Sequence, residues 1–244
     1  MRRRVVVVLG LAASVLAAGA APARATNECK GLQVCVRVAG PWVVVPAAQG
    51  VQRRRVEFQL SCPRGFIVGG LDAELSDRAI DIAFLAKLGS PVNPGVSTSR
   101  AAVFIASYTG GSKRTPTFRP LIGCIPASGG GGGPVPFRNP DARMLSATAF
   151  PPGQPTTRRV RLLRLRAGAT QTVARGCAGS ERLVRGWHAV GFYTARAPEA
   201  GLVAGVTTAQ ATNSGRVTVT ARSGGVVRGI RAIVQVGAVC AGGS

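Results

Sequence analysis

The sequence is poor in the residues that most hydrolytic active sites use. It contains one histidine, His188, and only nine acidic residues against 31 basic ones. No Gly-x-Ser-x-Gly segment supplies a nucleophile elbow. The five glycines at 129–133 are not followed by Gly-Lys-Ser/Thr, which excludes a phosphate-binding P-loop there. We therefore predict a non-enzymatic protein without catalytic residues, in which His188 is a packed or hydrogen-bonded side chain.

Metal-ligand patterns are scarce as well. The six cysteines form no Cys-x-x-Cys pair, so a zinc site is not expected. Four acidic residues fall within DAELSDRAID: Asp72, Glu74, Asp77 and Asp81. Their oxygens suit calcium, but Asp77 occupies the sixth position, where an EF-hand loop needs glycine. We predict no cofactor and no metal; this acidic cluster is the one calcium candidate, and a solvated loop is its alternative.

Long apolar runs are absent except near the N-terminus. There, MRRR precedes an apolar run from Val5 to about Leu16, and the small-residue signal Ala23-Arg24-Ala25 follows. This layout predicts a secretory signal peptide over residues 1–25, exported by either the Sec or the twin-arginine route. A spanning helix needs roughly 20 strongly apolar residues, which no later segment offers. We expect a secreted protein, extracellular or associated with the cell envelope, without a transmembrane anchor after cleavage.

The cysteines lie within an internal repeat. CPRGFIVGGLDA begins at Cys62 and CAGSERLVRGWHA begins at Cys177. The next cysteines, Cys124 and Cys240, follow 62 and 63 residues later, and similar strand-like segments precede both. We infer an internal duplication, with an N-terminal segment at 26–40, copies at 41–127 and 158–244, and a Gly/Pro-rich linker at 128–157.

The repeat also selects one disulfide pattern. An even number of cysteines in an exported chain indicates disulfides, and six cysteines allow fifteen connectivities. Matching the copies pairs Cys62 with Cys124 and Cys177 with Cys240. Cys29 and Cys35 then close a small hairpin within ECKGLQVC.

Period-two alternation predicts strands throughout both copies. Val56, Phe58 and Leu60 alternate with polar residues, as do Val217 and Val219. Short strands with Gly/Pro punctuation predict an all-β fold, two tandem disulfide-stapled antiparallel β-sandwich domains.

The CPRGFIVGG stretch is interpreted as scaffold. A strand ends at Cys62, a turn follows, and Gly69-Gly70 allow a bulge or a close backbone approach. Aligned on the cysteines, Gly70 falls on Gly186 and Asp72 on His188. His188 is therefore not a feature that the two copies share.

Cys-Pro-x-Gly followed by Gly-Gly, and a final strand that ends in Cys, resembles small secreted β-sandwich domains seen repeatedly in actinobacteria, here in tandem. The second copy departs from this motif, with Ala178 in place of Pro63. The resemblance implies compartment and architecture, and no known activity.

Positive charge is the strongest functional signal. The formal charge is +22, and removing the four arginines of the signal peptide leaves +18. Such a balance favours polyanionic partners, although a GC-rich codon habit is an equal alternative. RRVRLLRLR supplies the candidate polyanion-binding residues: Arg158, Arg159, Arg161, Arg164 and Arg166. We expect Arg159, Arg161 and Arg166 to share a face, with a register slip at Leu162-Leu163; a solvated edge strand is the alternative.

The densest aromatic group is GWHAVGFY. Trp187, Phe192 and Tyr193 are the candidate ligand-stacking residues, with a packed core as the alternative. So few aromatic residues argue against specific nucleic-acid recognition.

We therefore expect a secreted envelope or extracellular protein that binds an anionic polymer or an envelope protein through arginine-rich faces. An exported hydrolase acting on glycans and a structural matrix component without a specific ligand are the alternatives. The oligomeric state is left open.

Overall fold

The computed structural model describes residues 28–32, 34–47, 54–86, 100–111, 115–127 and 156–242. The predicted signal peptide at 1–25 and most of the predicted linker lie outside the described residues. Within them the chain is almost entirely antiparallel β-strand, which confirms the predicted fold class. The three predicted disulfides are present: Cys29–Cys35, Cys62–Cys124 and Cys177–Cys240.

Strands follow the period-two segments of both halves. In the described part of the first half they are β1 Val36–Ala39, β2 Trp42–Val44, β3 Arg55–Ser61, β4 Phe66–Leu75, β5 Ile80–Leu85, β6 Ala101–Tyr108 and β7 Thr117–Pro126. In the second half they are β8 Thr156–Arg164, β9 Thr170–Gly176, β10 Glu181–Tyr193, β11 Val206–Thr212, β12 Arg216–Ser223 and β13 Arg231–Gly242. A short helix, α1 Ala200–Ala204, and a 3-10 turn, Gly225–Val227, interrupt the second half.

Each half pairs its strands in the same order. The first half has a β3-β6-β5 sheet, and its β7 lies between β4 and the broken edge strand β1/β2. The second half has a β9-β12-β11 sheet, and its β13 lies between β10 and β8. In both, a disulfide links the residue after the first strand of the small sheet to the last strand. The halves are thus sandwich-like and topologically alike; a tandem duplication as their origin stays a prediction.

A β-bulge sits at the same place in both halves. The pairing of β4 with β7 shifts between Val68 and Gly70, and that of β10 with β13 shifts between Leu183 and Arg185. The residue before each bulge, Val68 or Leu183, pairs with the half-cystine of the last strand. The bulge predicted at Gly69-Gly70 is confirmed.

The register corrects the alignment of the two copies. Gly70 corresponds to Arg185 and not to Gly186, because these residues follow the two bulges directly. Gly70 also provides the close backbone approach that the sequence indicates. A Cβ added there would overlap the Glu28 carbonyl, so the N-terminal disulfide loop packs directly on β4.

One seven-stranded sheet runs through both halves. Strand β2 pairs with β7 on one side and with β10 on the other, with Val43 opposite Gly191 and Trp42 opposite Phe192. Two apolar clusters are present. One is centred on Phe58, Phe104 and Phe118 and also includes Ala189 and Ile233 of the second half; the other is centred on the valines of β12 and β13. Pairing of β2 with β10 therefore joins the larger sheets of the two halves, and the domain bounds stay a prediction.

The outward face of β3 lies against the second half. Val56, Phe58 and Leu60 of β3 are buried in the core of the first half, so the intervening Glu57 and Gln59 point the opposite way. Glu57 is only 4% exposed, because Arg158 and Arg185 of the second half bind it.

Candidate functional site

The structure divides the five arginines of RRVRLLRLR between two faces. β8 pairs with β13 over its whole length without a shift, so the predicted slip at Leu162-Leu163 is wrong. Strand alternation therefore places Arg159 and Arg161 on one face and Arg158 and Arg164 on the other. The five guanidinium groups do not form a single ridge.

Arg158 and Arg159 have carboxylate partners within the protein. Arg158 donates to Glu57 at 2.7 Å, across the interface of the two halves. Arg159 donates two hydrogen bonds to Glu181, at 2.9 and 2.6 Å. The bond from Arg159, aided by one from the Ala178 N–H at 2.7 Å, lowers the pKa of Glu181, and the pKa of Arg159 is raised in turn. These two guanidinium groups act inside the fold.

Arg164 and Arg166 line a pocket at one end of the second half. β8 and β12 end here and β9 and β13 begin, so four strand ends surround the opening. The pocket has a volume of about 610 Å³, and Arg228 contributes a third basic wall. All three arginines are exposed. Sequence reasoning did not select Arg228, because 61 residues separate it from Arg166 and only the fold brings the two loops together.

The backbone of the first loop is held by buried and polar contacts. Leu165, between the two arginines, is buried in the core of the second half. The Arg166 N–H donates to Gln171 Oε1 at 2.7 Å, and Gln171 Nε2 donates to the Arg164 carbonyl at 3.5 Å. The hydroxyl of Ser223 donates to the Arg166 carbonyl. Folding alone therefore positions this loop.

The second loop presents Arg228 from a tight turn. Arg228 has φ −61° and ψ 130°, and Gly229 follows with φ 79°. The Ile230 N–H donates to the Val227 carbonyl at 3.1 Å. These are the angles and the hydrogen bond of a type II turn, which favours glycine at its third position. The sequence signal for this turn is the Arg228-Gly229 pair.

Charge at the pocket is unbalanced. None of its lining residues is acidic, and within the described part of the chain Arg164, Arg166 and Arg228 have no carboxylate partner. Guanidinium groups bind carboxylate and phosphate oxygens through paired N–H groups. Three such groups around one cavity can bind an anion with several oxygens.

The corresponding position of the first half is not basic. Leu165 N–H donates to Ala232 O at 2.9 Å, and Val45 N–H donates to Pro116 O at 2.9 Å in the equivalent place. Val44 and Pro46, which flank Val45, thus take the positions of Arg164 and Arg166. Since the first half forms this strand end without arginine, the fold does not require arginines there.

The aromatic candidates do not form a shared platform. Trp187 is 7% exposed and lies over Gly237, where an added Cβ would overlap its ring. Phe192 is fully buried in the core of the second half. Tyr193 packs against the first core and carries the Arg231 guanidinium 4.2 Å from its ring centroid. Trp187 and Phe192 project to opposite faces of β10.

The acidic cluster is spread along β4, the following turn and β5. Asp72 accepts a bond from the Ala73 N–H at 2.8 Å, and Asp77 accepts one from Ala79 at 2.9 Å. Glu74 lies 3.6 Å from Arg119. The described residues bring no three of these carboxylates within 4.8 Å of one another; Asp81 is exposed at the start of β5. The structure therefore does not bring these carboxylates together into a calcium site.

His188 of β10 links the larger sheet to β11 in the smaller sheet of the second half. Its Nδ1 lies 2.8 Å from Gln210 Oε1, and its Nε2 lies 2.9 Å from Thr208 Oγ1. Both ring nitrogens are thus occupied by neutral side chains of β11, as expected for a hydrogen-bonded histidine.

No family model, curated protein or solved structure was found to match the chain. The three disulfides are compatible with an oxidising compartment. Among the described residues, no helix has the length and apolar character needed to cross a membrane.

Proposed function

We propose that this is an exported, non-enzymatic protein of the cell envelope that binds an anionic polymer at the pocket of Arg164, Arg166 and Arg228. The observation that carries the proposal is one open pocket lined by three arginines from two separate loops, none of which has a carboxylate partner among the described residues. Arg158 and Arg159 are engaged in ion pairs, so the binding surface is smaller than the whole basic run.

The hydrogen bonds that hold the backbone of both loops support this assignment. Gln171 and Ser223 fix one loop, and the turn at Arg228-Gly229 fixes the other. Arginines whose backbone is already positioned lose less conformational entropy when they bind a ligand. The net charge adds a long-range attraction that salt screens, which by itself is not specific.

The test compares two triple variants that remove the same charge. R164S/R166S/R228S empties the pocket of arginine, and R64S/R182S/R216S removes three exposed arginines far from it. The probe is inorganic polyphosphate, with neutral dextran as the uncharged polymer, titrated into folded protein from low to physiological salt.

The two variants should differ clearly. A hydrogen bond to a charged group contributes about 1.5 kcal/mol or more, so we expect the pocket variant to lose at least about 100-fold in affinity. Its log–log salt slope should fall by about 2, since each polymer phosphate neutralised contributes about 0.7. The control should lose much less. Equal losses of affinity in the two variants would refute binding at the pocket. No binding of polyphosphate at low salt would favour a structural component without a specific ligand.

A further inference from the structure

A second pocket adjoins the basic one and has a different character. It has a volume of about 560 Å³ and lies where the chain leaves β10 and enters α1. Its lining is mainly apolar, and includes Leu202, Val226 and Ile230. Arg196 and Glu199 are its charged members.

A single segment separates and lines both pockets. Val226 faces the apolar pocket and Arg228 faces the basic one, whereas Ile230 lines both. Val226 is 51% exposed, whereas Val227, the next residue of the same 3-10 turn, is buried. An exposed apolar side chain beside an arginine-lined cavity offers two chemically different contacts within a short distance.

We propose that the two pockets together bind an anionic amphiphile, with its anionic head against Arg164, Arg166 and Arg228 and its alkyl chain against Val226, Leu202 and Ile230. Charge complementarity places the head at the basic pocket, because its described lining has three arginines and no acidic residue, whereas the other pocket has one charged residue of each sign, Arg196 and Glu199. This inference rests on the proposed function and deepens it: the anionic polymer is held at an end that carries a lipid.

Monoalkyl phosphates test the inference directly. Ethyl phosphate and decyl phosphate carry the same head and differ by eight methylenes. Each is titrated below its micelle concentration against the full mature protein, and each competes with the polyphosphate probe. Each fully buried methylene raises affinity about fourfold, so even partial burial in an open pocket should make decyl phosphate bind at least about tenfold more tightly.

Matched valine substitutions locate the effect. Val226→Ser should reduce the gain from the longer chain by at least about threefold and leave ethyl phosphate binding unchanged. Val184→Ser is the control, because Val184 is 56% exposed on the bulge of β10, away from both pockets. It should leave both ligands unchanged.

The possible failures are distinguishable. If both phosphates bind equally and R164S/R166S/R228S abolishes both, the inference falls and the anion site stands. If decyl phosphate binds more tightly but Val226→Ser has no more effect than Val184→Ser, the chain adsorbs elsewhere and the inference falls. If neither phosphate nor polyphosphate binds, the proposed function falls as well.

Discussion

The side-chain amide of Gln235 forms two hydrogen bonds to the backbone of Gln59 in the other half of the protein. The Gln59 N–H donates to Gln235 Oε1 at 2.7 Å, and Gln235 Nε2 donates to the Gln59 carbonyl at 2.9 Å. Gln59 lies on β3, which is an edge strand of its sheet in the described structure. The backbone N–H and carbonyl on its outer side therefore have no neighbouring strand to pair with. The amide of a side chain takes that strand's place and fixes the two halves relative to each other.

Gln235→Leu should therefore be strongly destabilising. Gln235 is 2% exposed, and leucine would leave the part-buried N–H and carbonyl of Gln59 without these partners. Each such group costs about 1–3 kcal/mol, so we expect the free energy of unfolding to fall by about 2 kcal/mol or more. Urea titration measures the change. Gln210→Leu, at an exposed position where water can replace the amide, should cost less than about 1 kcal/mol; equal losses would contradict this role of Gln235.

The buried carboxylate beside this contact predicts a second effect. Glu57 is 4% exposed, while the side chains of its partners Arg158 and Arg185 are 23% and 52% exposed. Removing one member of a fully buried ion pair costs about 3–5 kcal/mol, and solvent screening at Arg185 reduces this figure. We expect Glu57→Gln to lower the free energy of unfolding by about 2 kcal/mol.

The control for Glu57 is Glu74→Gln. Glu74 lies 3.6 Å from Arg119, and both side chains are about a quarter exposed, so this pair should contribute at most about 1 kcal/mol. Both variants are compared by urea unfolding in the same buffer. A Glu57 variant no less stable than the Glu74 variant would show that the interface does not depend on this carboxylate.

Close packing of Trp187 on Gly237 gives a third prediction. Gly237→Ala would place a Cβ within the Trp187 ring, and overpacking of this kind costs about 1–3 kcal/mol. Gly215→Ala is the matched control, since an added Cβ meets nothing within 4 Å there. Thermal unfolding should show a lower Tm for the first variant only. A Tm unchanged in both would mean that Trp187 moves aside freely.

The strands and disulfides were predictable because they depend on local patterns. Alternation in RVEFQLS assigns Val56, Phe58 and Leu60 to a core, whatever that core packs against. Cysteine spacings that differ by only one residue, 62 and 63, select one pairing of the disulfides. The joining of the two larger sheets was not predictable, because it depends on two residue pairs of a three-residue strand, β2, for which no sequence pattern exists.

The residues of the proposed binding pocket were harder to predict, for a related reason. A run of arginines indicates charge but not its partners, and Glu57 lies 101 residues before the Arg158 it neutralises. No other arginine lies next to Arg228 in the sequence. Only the fold, which brings several strand ends together at one end of the second half, places it beside Arg164 and Arg166. Burial of Trp187 depends on Gly237, a residue that shows no pattern of its own.

The ion pair of Arg159 and Glu181 predicts acid sensitivity. Their hydrogen bonds lower the pKa of Glu181 below its usual value near 4.5 in the folded state. Glu181 therefore stabilises the folded protein above about pH 4.5, and this contribution is lost as pH falls through the folded-state pKa. Glu181→Gln should be less stable than the wild type at pH 6, and the difference should shrink at pH 3.

Urea unfolding at both pH values measures this change. Arg159→Gln should flatten the pH dependence in the same way, because it removes the main cause of the lowered pKa. Arg182→Gln, an exposed neighbour of Glu181, should retain the wild-type dependence. A stability difference that stays constant between pH 6 and pH 3 would contradict the assignment to Glu181.

The most direct test of the proposed function is to find which backbone amides respond when a polyanion binds. Isotope-labelled mature protein is titrated with short-chain polyphosphate at physiological salt, and amide chemical shifts are followed by NMR. Binding at the pocket should change the shifts mainly at residues 164–171 and 225–230, and these changes should be lost in R164S/R166S/R228S. Changes spread evenly over all exposed arginines, or centred on Arg64, Arg182 and Arg216, would contradict it.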